Sequence, residues 1–122
     1  MTKCENKQSI LYDNKRYICS LEFVFSLLSD KYKSLILYHL KEGKQRSGEL
    51  QACISGISNR MFVHSIRKLE KDGFVSRNVL PCVPPHVEYE LTQDGESIIP
   101  ILLELNDWGK NLAEKRKLYE NK

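Results

Sequence analysis

The stretch from Ile57 to Gly73 carries the tightest local constraint in the chain. Ser58 is the kind of residue that caps a helix, its oxygen accepting from a free N–H of the first turn. Ile57 before it and Phe62 four positions after it have the spacing of a hydrophobic staple. Gly73 stands where a left-handed residue ends a helix. At 100° per residue, Met61, Phe62, Ser65, Ile66 and Leu69 share one arc. Asn59, Arg60, Val63, His64 and Arg67 share the opposite arc. The first arc is a core face; the second offers mostly hydrogen-bonding heads to solvent or a ligand.

Three helical patterns precede this one. Leu21 to Leu28 is apolar nearly all round, which predicts a helix buried on two sides. Ser29 or Asp30 can cap a second helix carrying Leu35, Ile36, Tyr38, His39 and Leu40, with Gly43 placed to end it. A short third helix runs from about Ser47 to Cys53. After the fourth, Phe74 to Leu80 and His86 to Leu91 read as strands, with Val87, Tyr89 and Leu91 on one side. Pro81 to Pro85 makes a stiff link between them. Thr92 caps a last helix, whose first turn gains from Asp94 and Glu96, and Pro100 should kink it. Ile98, Ile101, Leu102, Leu105, Trp108 and Leu112 form one arc of that helix, with Ile99 and Leu103 outside it. This is more apolar surface than one domain face needs. The order predicts a mainly α fold with a small β-hairpin, a winged helix-turn-helix, in which a helix N-terminus enters the major groove of DNA.

At 122 residues the chain makes one domain, and 41% hydrophobic with 29% charged residues is an ordinary globular balance. No apolar run approaches the roughly 18 residues of a membrane span. Met1 to Gln8 is polar and lacks a signal-peptide core, so a cytoplasmic address and no membrane partner are expected. The net charge of +3 is small, but its distribution is uneven. Lys41 to Arg77 holds eight basic and four acidic residues, whereas Glu88 to Trp108 holds six acidic residues and no Lys or Arg. The basic middle could face a polyanion, or be simply a solvated face. Cys4, Cys19, Cys53 and Cys82 form no CxxC pair, so no metal site and no cofactor is expected, and reduced thiols are the default.

The residues then fall into a familiar order: Cys19-Ser-Leu-Glu, Ser29-Asp-Lys-Tyr-Lys33, Gly56-Ile-Ser58, Arg60-Met61, Arg67-Lys-Leu-Glu70, Asp72-Gly-Phe-Val75, and Val83-Pro-Pro-His-Val-Glu-Tyr89. This combination closely resembles the HxlR-type winged helix-turn-helix transcriptional regulators, relatives of the MarR group. The resemblance spans about Cys19 to Gly109. It divides the chain into an N-terminal extension (1–18), the winged helix-turn-helix with its dimerisation helices (19–109), and a basic tail continuing the last helix (110–122). It implies a homodimer on a palindromic operator of double-stranded DNA, repressing or activating nearby genes, with the first and last helices as the dimer interface. The interface candidates are Leu21, Val24, Phe25, Leu102, Leu105, Trp108 and Leu112. The sequence departs from the family in three places. Ser29-Asp30-Lys31-Tyr32 stands for Gly-Gly-Lys-Trp, Ser47 for an aromatic, and His86 for an Arg of the wing. A neutral His is the weaker minor-groove contact.

The DNA-binding candidates are Ser58, Asn59, Arg60, His64 and Arg67 on the fourth helix, Lys31, Arg46 and Ser47 on neighbouring elements, and Arg77 and His86 on the wing. Asn and Arg make bidentate contacts to adenine and guanine edges, and a helix start holds phosphate. Arg67 could instead pair with Glu70, whereas Arg60 has no acid three or four positions away. Lys68 and Lys71 read as solvated face. Cys19 begins the first helix, where the resemblance implies a thiol that in some relatives senses oxidants or electrophiles. Helix position and nearby Lys15 and Arg16 would favour the thiolate; the alternative is a small buried packing residue. Cys53 reads as core and Cys82 as wing loop. A small-molecule or oxidant effector therefore remains open. A winged-helix protein–protein interaction module without operator binding is the competing class. No Gly-rich phosphate loop, metal cluster or nucleophile–base pair suggests an enzyme.

Overall fold

The computed structural model describes residues 8–120; the readings that fall on residues 1–7, Cys4 included, and on 121–122 lie outside the described residues. The order is β1 (Ile10–Tyr12), β2 (Lys15–Tyr17), α1 (Ser20–Leu27), α2 (Lys31–His39), β3 (Gln45–Arg46), α3 (Ser47–Ala52), α4 (Asn59–Lys71), β4 (Val75–Leu80), β5 (His86–Leu91) and α5 (Gln93–Lys115). This is the mainly helical winged-helix fold that the pattern predicts, with small antiparallel sheets. No helix among the described residues is long and apolar enough to cross a membrane.

The caps decide where the helices begin. Asp30, not Ser29, caps α2, its carboxylate accepting from the N–H groups of Tyr32 and Lys33 at 2.8 and 3.0 Å. Ser29 Oγ instead accepts from the Lys33 ammonium at 3.0 Å. Ser58 Oγ accepts from the Met61 N–H at 3.1 Å and starts α4. Gly73, at φ +84°, ends it in the left-handed region that a side chain disfavours. Thr92 caps α5 by accepting from the Gly95 N–H at 3.1 Å, while its hydroxyl donates to the Gly73 carbonyl at 2.6 Å. One residue thus ties the start of α5 to the end of α4. Gly95 is required by packing, because a Cβ there would collide with the Phe74 carbonyl oxygen.

The core gathers Ile36, Leu37 and Leu40 of α2, Leu50 of α3, and Phe62, Ile66 and Leu69 of α4 over Val75 and Tyr89. Ile57 and the half-buried Tyr32 pack on its rim. The wing is a three-stranded sheet in the order β3-β5-β4, because Gln45 and Arg46 pair with Tyr89 and Glu88. Two features differ from expectation. α1 has no buried residue, so its all-round apolar surface finds cover on at most one side within the chain. The N-terminal extension contains a hairpin, β1–β2, whose Asp13 and Asn14 both have positive φ (50° and 63°). That is the signature of a type I′ turn.

Candidate nucleic-acid interface

Ser58 spends its oxygen on the cap, and the N–H groups of Asn59 and Arg60 open the helix where no internal acceptor exists. Asn59, Arg60, His64 and Arg67 are all exposed along α4. Between this face and the wing lies a cleft of about 490 Å³. Ser47, Asn59, Arg67 and Arg77 line it, and its floor includes Phe62 and Tyr89, edge-to-face with ring centres 6.5 Å apart. Arg77 lies directly opposite Tyr89 in the β4–β5 ladder, which puts both side chains on the same side of the sheet. A second, shallower hollow of about 580 Å³ adjoins the first, sharing Ser47 and Val87, and gathers Arg46 and His86.

Six of the ten predicted contacts therefore meet in one concave region. Ser58, Arg60 and His64 remain on α4 outside both hollows. Lys31 is exposed at the start of α2, its ammonium 5.0 Å from the centre of the Tyr32 ring. The arginines carry the electrostatics. Among the described residues Arg46, Arg60, Arg67 and Arg77 take part in no ion pair within 4.0 Å. The pairing of Arg67 with Glu70 does not form, although Glu70 lines the same cleft. Free guanidinium groups on a concave face are the donors that phosphates and guanine edges accept from.

Lys71 is exposed, as a solvated face would be, and Lys68 is half-buried; both face carboxylates. Lys68 Nζ lies 3.6 Å from Asp72 and 3.8 Å from Asp13, and Lys71 Nζ 4.0 Å from Asp13. The hairpin residue Asp13 was missed by sequence reading, although the Asp-Asn pair between Tyr12 and Lys15 was a turn signal.

The remaining candidates divide. Leu21, Phe25, Leu105 and Trp108 are exposed, and Val24 and Leu112 half-buried. Leu102 is mostly buried in the chain's own core at 7% exposed, and what remains of its surface lines the cleft beside Leu105. Ile98 and Ile99 pack beside it, which turns the arc so that Ile101, Leu105 and Trp108 face outward. Cys19 is the N-cap residue of α1, 3% exposed and disulfide-bonded, which departs from the reduced state expected. Cys53 and Cys82 are free and exposed. Cys82 sits in the wing loop as expected, but Cys53 is not core: it closes the six-residue α3 with its thiol 3.8 Å from Gln45 Oε1. Beside Leu105 an open cleft of about 320 Å³ between α2 and α5 is lined by Leu35, Tyr38 and His39. Burial, then the charge of Lys41, hold the His39 imidazole below its ordinary value. No group of three His, Cys, Asp or Glu among the described residues gathers as a metal site would require.

A family model described as HxlR-like helix-turn-helix matches residues 27–117. The chain belongs to the HxlR family of helix-turn-helix transcriptional regulators. As such a regulator it carries the DNA-binding helix-turn-helix of its relatives. It is 47% identical over 94 residues to an HTH-type transcriptional regulator of Methanothermobacter thermautotrophicus, covering 77% of this chain and 72% of that one. Among solved structures it is similar to the redox regulator HypR in its reduced form, with a TM-score of 0.75 and 36% identity over 82% of this chain and 99% of that one. It is also similar to the reduced form of the transcriptional regulator YodB of Bacillus subtilis, with a TM-score of 0.67 and 32% identity over 79% of this chain and 94% of that one.

Proposed function

We propose that this HxlR-family regulator acts as a cytoplasmic homodimer that reads a palindromic operator, and that it has no enzymatic activity. The observation that carries the reading is the set of unpaired Arg side chains converging with Asn59 on the concave face between α4 and the wing. In this reading the start of α4 enters the major groove, where Asn59, Arg60, His64 and Arg67 meet base edges. Ser58 and the first N–H groups hold a phosphate. Arg46, Ser47 and Lys31 grip the backbone, and Arg77 and His86 reach it from the wing. Two copies joined through α1 and α5 set two such helices about one turn of DNA apart.

The redox names of HypR and YodB support a further element: thiol–disulfide exchange at Cys19 modulates binding. A dithiol reductant opens the Cys19 disulfide and leaves as its own disulfide. An oxidant such as diamide reverses this, taking two electrons and two protons as the S–S bond re-forms.

The test is selection of bound duplexes from a random pool, with affinity titrated against salt and repeated on reduced and diamide-treated protein. A palindromic consensus with half-sites about one turn apart and a steep salt slope supports the operator reading. Sequence-blind binding favours an interaction module instead. Cys19→Ser abolishes the diamide response while binding by the reduced protein persists; a variant still released by diamide removes Cys19 from the mechanism.

A further inference from the structure

The two ends of α4 have different surroundings. Its start is free for DNA, while its finish is gripped by the β1–β2 hairpin. The Tyr12 hydroxyl donates to Asp72 Oδ1 at 2.9 Å across sixty positions of sequence. Asp72 is the C-cap residue of α4 and its side chain is 2% exposed. Asp13 at the turn of the hairpin faces Lys68 and Lys71, and Lys68 bridges Asp13 and Asp72. The same hairpin is seated on α1 by ring contacts, Tyr12 at 5.6 Å and Tyr17 at 5.7 Å from the Phe23 centroid. Hydrogen bonding to Asp72, burial, and the charges of Asp72 and Asp13 together hold the Tyr12 phenol protonated above its usual range. The bond to Asp72 thus stays a neutral hydroxyl donating to a carboxylate.

Geometry makes the far end of α4 matter to the near one. Thirteen residues span about 20 Å, so a tilt of about 5° at one end moves the other by about 1.7 Å. A base-edge hydrogen bond tolerates only a few tenths of an ångström, whereas long Lys and Arg side chains re-aim at phosphates. The core arc fixes α4 along its buried side; the hairpin adds the polar anchorage at its end.

We propose that Tyr12 and Asp13 are positioning residues for DNA recognition, and that the hairpin braces the end of α4 and so sets the pose of its base-reading half. The proposal rests on the operator reading above. Its signature is a loss of specificity without a loss of phosphate contacts.

The test compares the full-length chain with the double variant Tyr12→Phe/Asp13→Asn. Phe keeps the ring against Phe23, and Asn tolerates the left-handed backbone at position 13. Affinity is measured for the selected operator and for a scrambled duplex, with the salt slope of each, beside hydrogen exchange of residues 68–73. The ratio of specific to non-specific affinity should fall about tenfold, the scale of weakening one base-edge contact. The salt slopes should stay unchanged and the amides of residues 68–73 should exchange faster. Faster exchange with an unchanged ratio, or no change in either, overturns the brace. A wild-type chain that selects no duplex overturns the operator reading, and this proposal with it. A wild-type chain whose selected duplex the double variant binds equally well overturns this proposal alone.

Discussion

Helices α4 and α5 obey the same rules and end differently. Both start at a hydroxyl cap, and both carry a broad apolar arc. In α4 that arc is spent within the chain: Phe62, Ile66 and Leu69 are buried and the polar face looks outward. In α5 only Leu102 is buried among the large side chains, while Leu105 is 58% and Trp108 66% exposed. α1 resembles α5, with Phe25 62% exposed. An apolar arc therefore has two destinations, the chain's own core or an exposed face. The dimer proposed above needs both, because one reading head covers only half of a palindrome.

The contrast is broken most severely inside α4. Phe62→Ala should cost about 3–5 kcal/mol of unfolding free energy, a large share of a typical domain's stability. Chemical denaturation read by circular dichroism checks this, and the loss should not depend on protein concentration. Leu105→Glu on α5 is the counterpart. It should leave the secondary structure intact and yield monomers in analytical ultracentrifugation, with operator binding falling as the two half-sites uncouple. A persistent dimer would place the interface elsewhere, and a collapse of helicity would mean that Leu105 supports its own chain.

Within α4 the same contrast runs along the helix. Arg67 is unpaired on the cleft wall, whereas Lys71 faces Asp13 of the hairpin. Arg67→Ala should weaken operator binding by about 1–3 kcal/mol, the worth of a bidentate base contact. Lys71→Ala should cost much less. Fluorescence anisotropy on the selected duplex gives both values at one salt concentration, and equal losses would mean that the α4 face is misassigned.

How much of this was legible depended on how local the signal was. The caps at Ser58 and Thr92, the turn at Gly73, the arcs of α4 and the two wing strands all rest on spacings of a few residues. The winged helix-turn-helix follows from their order. The hairpin was not read because three-residue strands are too short to show an alternation, even with Asp13-Asn14 between them. Strand β3 was missed for the same reason: two residues pair only because β5 passes beside them. The burial of Leu102 was hidden for a different one. Periodicity groups the residues of an arc but does not say which edge of it meets the core, and here the core takes Ile98, Ile99 and Leu102. Cys53 ends a six-residue helix, too short for its arc to be assigned. Of the site, the convergence of Asn59, Arg67 and Arg77 follows from the α4 face and the wing register, whereas the engagement of Lys68 and Lys71 required the hairpin.

The smallest expected effect lies where the two destinations meet, at His39. It closes α2, stacks edge-on to Tyr38, and lines the cleft that also holds Leu105. Its folded pKa lies below the unfolded value of about 6.5, so the unfolded chain binds the proton more readily. The stability this neutral imidazole contributes is full above the unfolded value and is lost as pH falls through the folded one. Melting temperature should therefore decline slightly between pH 7.5 and 5.5, and less so in His39→Gln. A second copy covering Leu105 would bury the imidazole further and lower its pKa more. A carboxylate introduced at position 105 acts the opposite way twice, by opening the cleft and by favouring the imidazolium. The His39 resonance, followed by NMR through a pH titration, should thus titrate higher in Leu105→Glu than in the wild-type chain. If it does not move, the α5 surface is not what controls the burial of His39, and the exposed apolar face ends short of this cleft.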